Sequence, residues 1–208
     1  MKATQKLQEL GQSLWLDNIT RGILNDGTLA GYIRDLSVTG LTSNPTIFDH
    51  AMTSGDFYNH LGIAMSQRTY REYRRVLDSP RWFALAAAGA LPQRLLFAST
   101  STKDPAAPDT LYVEALAAPD TVNTIPETTL KALADHGRVG ETLAADGGNC
   151  ERVLADFERA GINEAAFAAQ LQREGAESFD KSWTDLLDRL AAKRAALATN
   201  AHTDAHTA

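Results

Sequence analysis

The chain has 208 residues, a formal net charge of −6, 44 % hydrophobic and 22 % charged residues. That is enough for one compact domain with its own core, or one domain plus a small appendage, and with no basic excess to neutralise phosphates it excludes nucleic acid as an expected partner. The single cysteine, Cys150, excludes an intramolecular disulfide and cannot by itself build a cysteine-based zinc site. The first residues, Met1-Lys2-Ala3-Thr4-Gln5, lack the apolar stretch of a signal peptide, and no run approaches the roughly 20 apolar residues of a membrane span. The expected location is therefore the cytoplasm, with no membrane partner.

In chain order, residues 5–12 read as a short helix leading into a strand over 14–18, Leu14-Trp15-Leu16-Asp17-Asn18. Asn25-Asp26-Gly27 is a turn signal, and a helix is expected over 26–36. A second strand covers 37–43. It runs into Thr42-Ser43-Asn44-Pro45, where Asn-Pro is a strong stop. Residues 46–60 look helical but interrupted at Ser54-Gly55, and 61–77 has apolar residues near helical spacing. Asp78-Ser79-Pro80 caps a further helix, 80–88, with proline at a position that suits it. The third strand is 94–100, a short helix spans 109–115, the fourth strand is 120–126, and a helix follows over 127–135. Three helices close the chain. One runs over 150–160 with Asn149 as its N-cap, one from about 162 to 174, and one over 179–197. The apolar stripe of the last one, Phe179, Trp183, Leu186, Leu187 and Leu190, reads as a packing face. The tail 199–208 reads as disordered.

Each strand is apolar and turns polar at its C-terminal end, and each is followed by helical sequence. That pattern argues a parallel α/β arrangement with polar residues delivered to one rim, as at the top of a (β/α) barrel. A complete eight-stranded barrel needs about 250 residues, and only four strands can be read here. The expected fold is an incomplete (β/α) barrel of about four parallel strands with C-terminal helices, in a single domain over 1–198.

Several motifs in order resemble bacterial transaldolase of the actinobacterial type. They are the segments 14–21 and 36–48, Ser101-Thr102-Lys103-Asp104-Pro105, Thr110-Leu111-Tyr112-Val113-Glu114, Thr121-Val122-Asn123-Thr124-Ile125-Pro126 and Phe179-Asp180-Lys181-Ser182-Trp183. The resemblance is interrupted: residues 1–60 look like the family's start through its second barrel strand, and residues from about Leu61 look like the part after its sixth. The join falls near Asn59-His60-Leu61, and strands three to six have no counterpart. The four strands retained correspond to the family's first, second, seventh and eighth, which in a closed barrel lie side by side as seven, eight, one, two.

The resemblance implies transfer of a dihydroxyacetone unit between sugar phosphates of the pentose phosphate pathway through a Schiff base, with sedoheptulose 7-phosphate and glyceraldehyde 3-phosphate as substrates and no metal or organic cofactor. It assigns Asp17 as the acid/base carboxylate and Asn44 as a substrate-hydroxyl contact, with Thr42 and Ser43 beside it and Lys103 as a phosphate contact. The family's imine-forming lysine sits on its fourth strand, inside the gap. The lysines present are Lys2, Lys6, Lys103, Lys131, Lys181 and Lys193. Only Lys103 falls near the expected rim, so an inactive chain is expected. The alternatives are a non-catalytic half-barrel that binds sugar phosphate or self-associates as a homodimer, and a deletion product that folds poorly.

Overall fold

The computed structural model describes residues 1–17, 20–42, 55–102 and 104–204. They fall into two units. The first comprises residues 1–44 and 52–162, and the second comprises residues 45–51 and 163–208.

The first unit is built on one sheet. Helix α1 (Ala3–Glu9) leads into β1 (Ser13–Leu16). Two helices follow, α2 (Arg21–Asn25) and α3 (Thr28–Leu36), before β2 (Val38–Leu41). The helix expected over 26–36 is α3, and α2 before it was not read from the sequence. The Thr20 hydroxyl accepts the Ile23 N–H and starts α2, while Gly27, at φ 84°, turns the chain before α3 begins. Helix α4 (Gly55–Leu77) joins the segments read as 46–60 and 61–77 without a break from Gly55 onward, while 46–54 lie outside the described residues. Helix α5 (Pro80–Ala87) starts as its sequence predicts, with Pro80 in the first turn and the Ser79 hydroxyl accepting the Trp82 N–H. Then come β3 (Leu95–Phe97), α6 (Leu111–Ala115), β4 (Thr121–Ile125), α7 (Glu127–His136) and α8 (Cys150–Arg159). Asn149 holds the N-cap position of α8 without a side-chain capping bond.

All strand pairs are parallel, in the order β2-β1-β4-β3. This is the expected α/β fold, a four-stranded parallel sheet forming part of a barrel. The order also matches the adjacency that the resemblance implied. Each strand is shorter than expected, ending at Leu16, Leu41, Phe97 and Ile125. The register places Val38, Leu14, Asn123 and Phe97 in one row across the sheet, and laterally aligned residues share a face. On that face Leu14, Leu16, Val38 and Ile125 pack with Leu7 of α1 and Leu130 and Leu133 of α7. At the β3 end, Phe97 packs with Tyr70 of α4 and Tyr112 of α6.

Gln12, fully buried, ties the entry of β1 to its neighbours. Its Nε2 donates to the Leu116 carbonyl at 2.7 Å and to Thr121 Oγ1 at 2.9 Å. Replacing it with leucine strands the Leu116 carbonyl in the interior, at a cost of about 1–3 kcal/mol. The expected result for Gln12→Leu is a lower urea midpoint with an unchanged slope.

The described part of the second unit is α9 (Glu164–Asp204). Asn163 caps it, its Oδ1 accepting the Ala166 N–H at 2.8 Å. Two helices were expected here, split between 174 and 179. One helix forms because Gly175 is the only weak helix former in that gap, and a lone glycine costs about 1 kcal/mol without stopping a helix. The helix continues to Asp204, into the segment expected to be tail, and 205–208 lie outside the described residues. Phe179, Trp183, Leu186, Leu187 and Leu190 are exposed along it.

Candidate active site

Three strand ends converge on one carboxylate. Asp17 follows β1 directly, and its N–H donates to the Ile125 carbonyl of β4 at 2.8 Å, extending the ladder by one residue. Thr42 follows β2 and donates its N–H to the Leu16 carbonyl at 2.9 Å. Its hydroxyl then reaches Asp17 Oδ1 at 2.8 Å. Beyond β3 the backbone at Ser99 takes φ 50°, a left-handed turn that aims its hydroxyl inward to donate to Asp17 Oδ2. Both carboxylate oxygens are thus held by hydroxyl donors from two other strand ends.

A second layer holds the first. The Ser99 N–H donates to Thr124 Oγ1 at 2.8 Å, and the Thr100 N–H donates to the Thr124 carbonyl at 3.1 Å. Thr100 Oγ1 donates to Asn123 Oδ1 at 2.6 Å inside the core. Asn123 and Thr124 therefore fix the β3 loop that carries Ser99.

Beside this loop lies a groove lined by Gly62 and Ser66 of α4, the segment 97–101, Tyr112 and Leu116. The Ser101 hydroxyl is buried there without a hydrogen-bond partner among the described residues. Tyr112 Oη donates to Asn59 Oδ1 at 3.0 Å, and burial, with the Asp104 charge nearby, pushes the Tyr112 phenol up.

Of the residues read from sequence as site candidates, Asp17 and Thr42 come together in direct contact. Asn44, Ser43 and Lys103 lie outside the described residues. The Ser99 contact to Asp17 was not foreseen, because it depends on a left-handed residue after β3 that no local motif announces.

The described lysines lie elsewhere. Lys2 precedes α1, Lys6 lies on α1, Lys131 on α7, and Lys181 and Lys193 on α9. Lys6 Nζ donates to the Val139 carbonyl at 2.6 Å. Lys131 is held above the usual lysine value by its contact with Glu127, 2.7 Å away, and by Tyr32. The Glu127 carboxyl is correspondingly held below the usual range by Lys131 and by the Tyr32 hydroxyl at 2.6 Å. A depressed carboxyl contributes stability that is present above its unfolded pKa and lost as pH falls through the folded one. Glu127→Gln is therefore expected to flatten the acid limb of stability against pH. At neutral pH it should cost less than about 1 kcal/mol, since the pair is partly exposed, and urea midpoints from pH 7 downward measure both effects.

Among the described residues no cluster of His, Cys, Asp or Glu could hold a metal ion, and no helix is long and apolar enough to cross a membrane.

Comparison with known proteins places the chain in a family. Residues 56–190 match the family model for transaldolase/fructose-6-phosphate aldolase. The chain is 50 % identical over 129 residues to a transaldolase of Parafrankia sp. (strain EAN1pec), covering 62 % of this chain and 35 % of that protein. It is 47 % identical over 130 residues to a transaldolase of Frankia alni, with 62 % and 35 % covered. To a transaldolase of Thermobifida fusca it is 47 % identical over 135 residues, with 64 % and 37 % covered. The chain spans about a third of the length of the curated relatives it matches. With four parallel strands delivering polar residues to one rim, this protein belongs to the transaldolase/fructose-6-phosphate aldolase family.

Proposed function

We propose that this chain carries the proton-handling wall of a transaldolase site without the amine that forms the covalent intermediate. In this reading the family chemistry is transfer of a dihydroxyacetone unit between sugar phosphates, with sedoheptulose 7-phosphate and glyceraldehyde 3-phosphate as donor and acceptor, in the cytoplasmic pentose phosphate pathway. Asp17 is the acid/base. The contacts of Thr42 and Ser99 to its two oxygens support that role, since a carboxylate that relays protons must be held in a fixed orientation. Asn44 and Ser43 contact substrate hydroxyls, and Lys103 contacts phosphate.

Carbon–carbon cleavage needs more than a base. The electrons left on the donor carbon must flow into a protonated imine, which in turn requires a lysine amine that is neutral and aimed at the ketone. The observation that carries the proposal is the placement of the lysines. Those described sit on or before helices, and Lys131 is held more firmly protonated than usual. In this reading the join between the two family segments falls near 59–61, within α4, and the strand that would bear the amine belongs to the stretch without a counterpart.

The chain therefore binds sugar phosphate without turning it over. The Ser101 hydroxyl at the groove, buried without a partner among the described residues, favours this binding role. The test is a coupled transfer assay with both substrates alongside calorimetric titration with sedoheptulose 7-phosphate. No transfer above the blank, with saturable binding weakened by Ser101→Ala, is the expected result. Steady turnover by the purified chain would overturn it.

A further inference from the structure

The sheet ends on two strands that pair on one side only. Among the described residues β2 bonds only to β1, and β3 only to β4. Thr42 gives its N–H to Leu16 of β1, so Leu41, one residue earlier, turns its own N–H toward the free edge. Unpaired edges of this kind recruit another strand.

The strand order specifies which strand fits. Because all four strands run the same way, the β2 edge and the β3 edge are different surfaces with the same polarity. A two-fold rotation about an axis along the strands sets β2 of one copy beside β3 of the other, in parallel, and does so twice. The order β2-β1-β4-β3 then repeats once around a ring. Eight parallel strands is the number at which side chains alone fill a barrel, and the symmetry leaves no edge over.

The two faces of the sheet agree with such a ring. The row Val38, Leu14, Asn123, Phe97 lies on the helix-covered face. The adjacent row, Ser13, Val122 and Leu96, points to the other face, with Trp15 and Thr124. On that face Trp15 lies over Gly40 so closely that a Cβ there would come within 2.6 Å of the indole nitrogen. Leu96, a leucine in the middle of a strand, is 40 % exposed. A barrel interior takes large apolar residues of this kind.

We propose that the protein is a two-fold dimer in which two four-stranded sheets close one eight-stranded parallel barrel, the β2 edge of each copy pairing with the β3 edge of the other. Strand β1 of one copy then stands four places from β1 of the other, so the two Asp17 carboxylates face each other across one mouth. This goes beyond the reading of the chemistry and does not depend on it, because the assembly can be measured without substrate.

Sedimentation equilibrium of the purified chain is expected to give one species of twice the 22.5 kDa chain mass. Hydrogen exchange at the Leu41 amide is expected to be slowed by at least about a hundredfold relative to an open edge. Leu96→Asp, half-exposed in a lone sheet and buried in the closed ring, is expected to yield a monomer with its helical circular dichroism retained. A monomeric wild-type chain, an unfolded one, or an array that grows with concentration would overturn the proposal. So would a dimer whose Leu41 amide exchanges freely or that survives Leu96→Asp.

Discussion

Leu16→Ala is expected to lower the unfolding free energy of the first unit by about 2–5 kcal/mol, the range for deleting a buried leucine side chain. Leu16 is fully buried in the central part of the sheet, in register with Leu41 on one side and Ile125 on the other, and it packs in the cluster that holds Leu7, Leu130 and Leu133. Neighbours on three elements converge on it, so the cavity cannot collapse without moving a strand. Small domains are stable by only about 5–15 kcal/mol, so the loss is a large fraction of the whole. The same substitution loosens the site, since the Leu16 carbonyl accepts the Thr42 N–H and the next residue is Asp17 itself. Urea denaturation should show the midpoint fall with little change in slope, while Leu24→Ala, at an exposed position of α2, stays within about 0.5 kcal/mol of wild type.

Much of this fold is legible in the sequence because each strand announces its end. The polar runs after Leu16, Leu41, Phe97 and Ile125 mark where the regular strands end, and the alternation of strand with helix makes the sheet parallel. Ser79-Pro80 sets the start of α5 by a mechanism that reads directly from the residues. Helix boundaries were less legible. Gly175 looks like a break yet is passed over, because a single glycine only weakens a helix. Asp17 and Thr42 could be picked out as strand-end polar residues. Ser99 stands likewise at the polar end of the third strand, but its contact to Asp17 could not be read, because it reaches Asp17 only through a positive φ and a backbone bond to Thr124, both products of tertiary packing.

Incubation with sedoheptulose 7-phosphate followed by borohydride is expected to leave the mass of the chain unchanged, while a full-length transaldolase treated alongside gains the reduced adduct. The amine must attack the ketone as a free base, lose water and leave a protonated imine, which borohydride reduces to a stable secondary amine. At pH 7 an ordinary lysine is neutral in fewer than about one molecule in a thousand, and burial among apolar groups is what raises that fraction. Lys181 and Lys193 are exposed on α9, Lys6 is committed to the Val139 carbonyl, and Lys131 is pushed the wrong way by Glu127. Lys103 is the position to inspect by peptide mapping, being the one lysine next to a strand-end loop of the site. A label there, lost in Lys103→Arg, would mean that the chain supplies its own electron sink, and Asp17 would then have a carbanion to serve. Without that label the carboxylate has no imine to work against, and Asp17→Asn changes neither turnover nor mass.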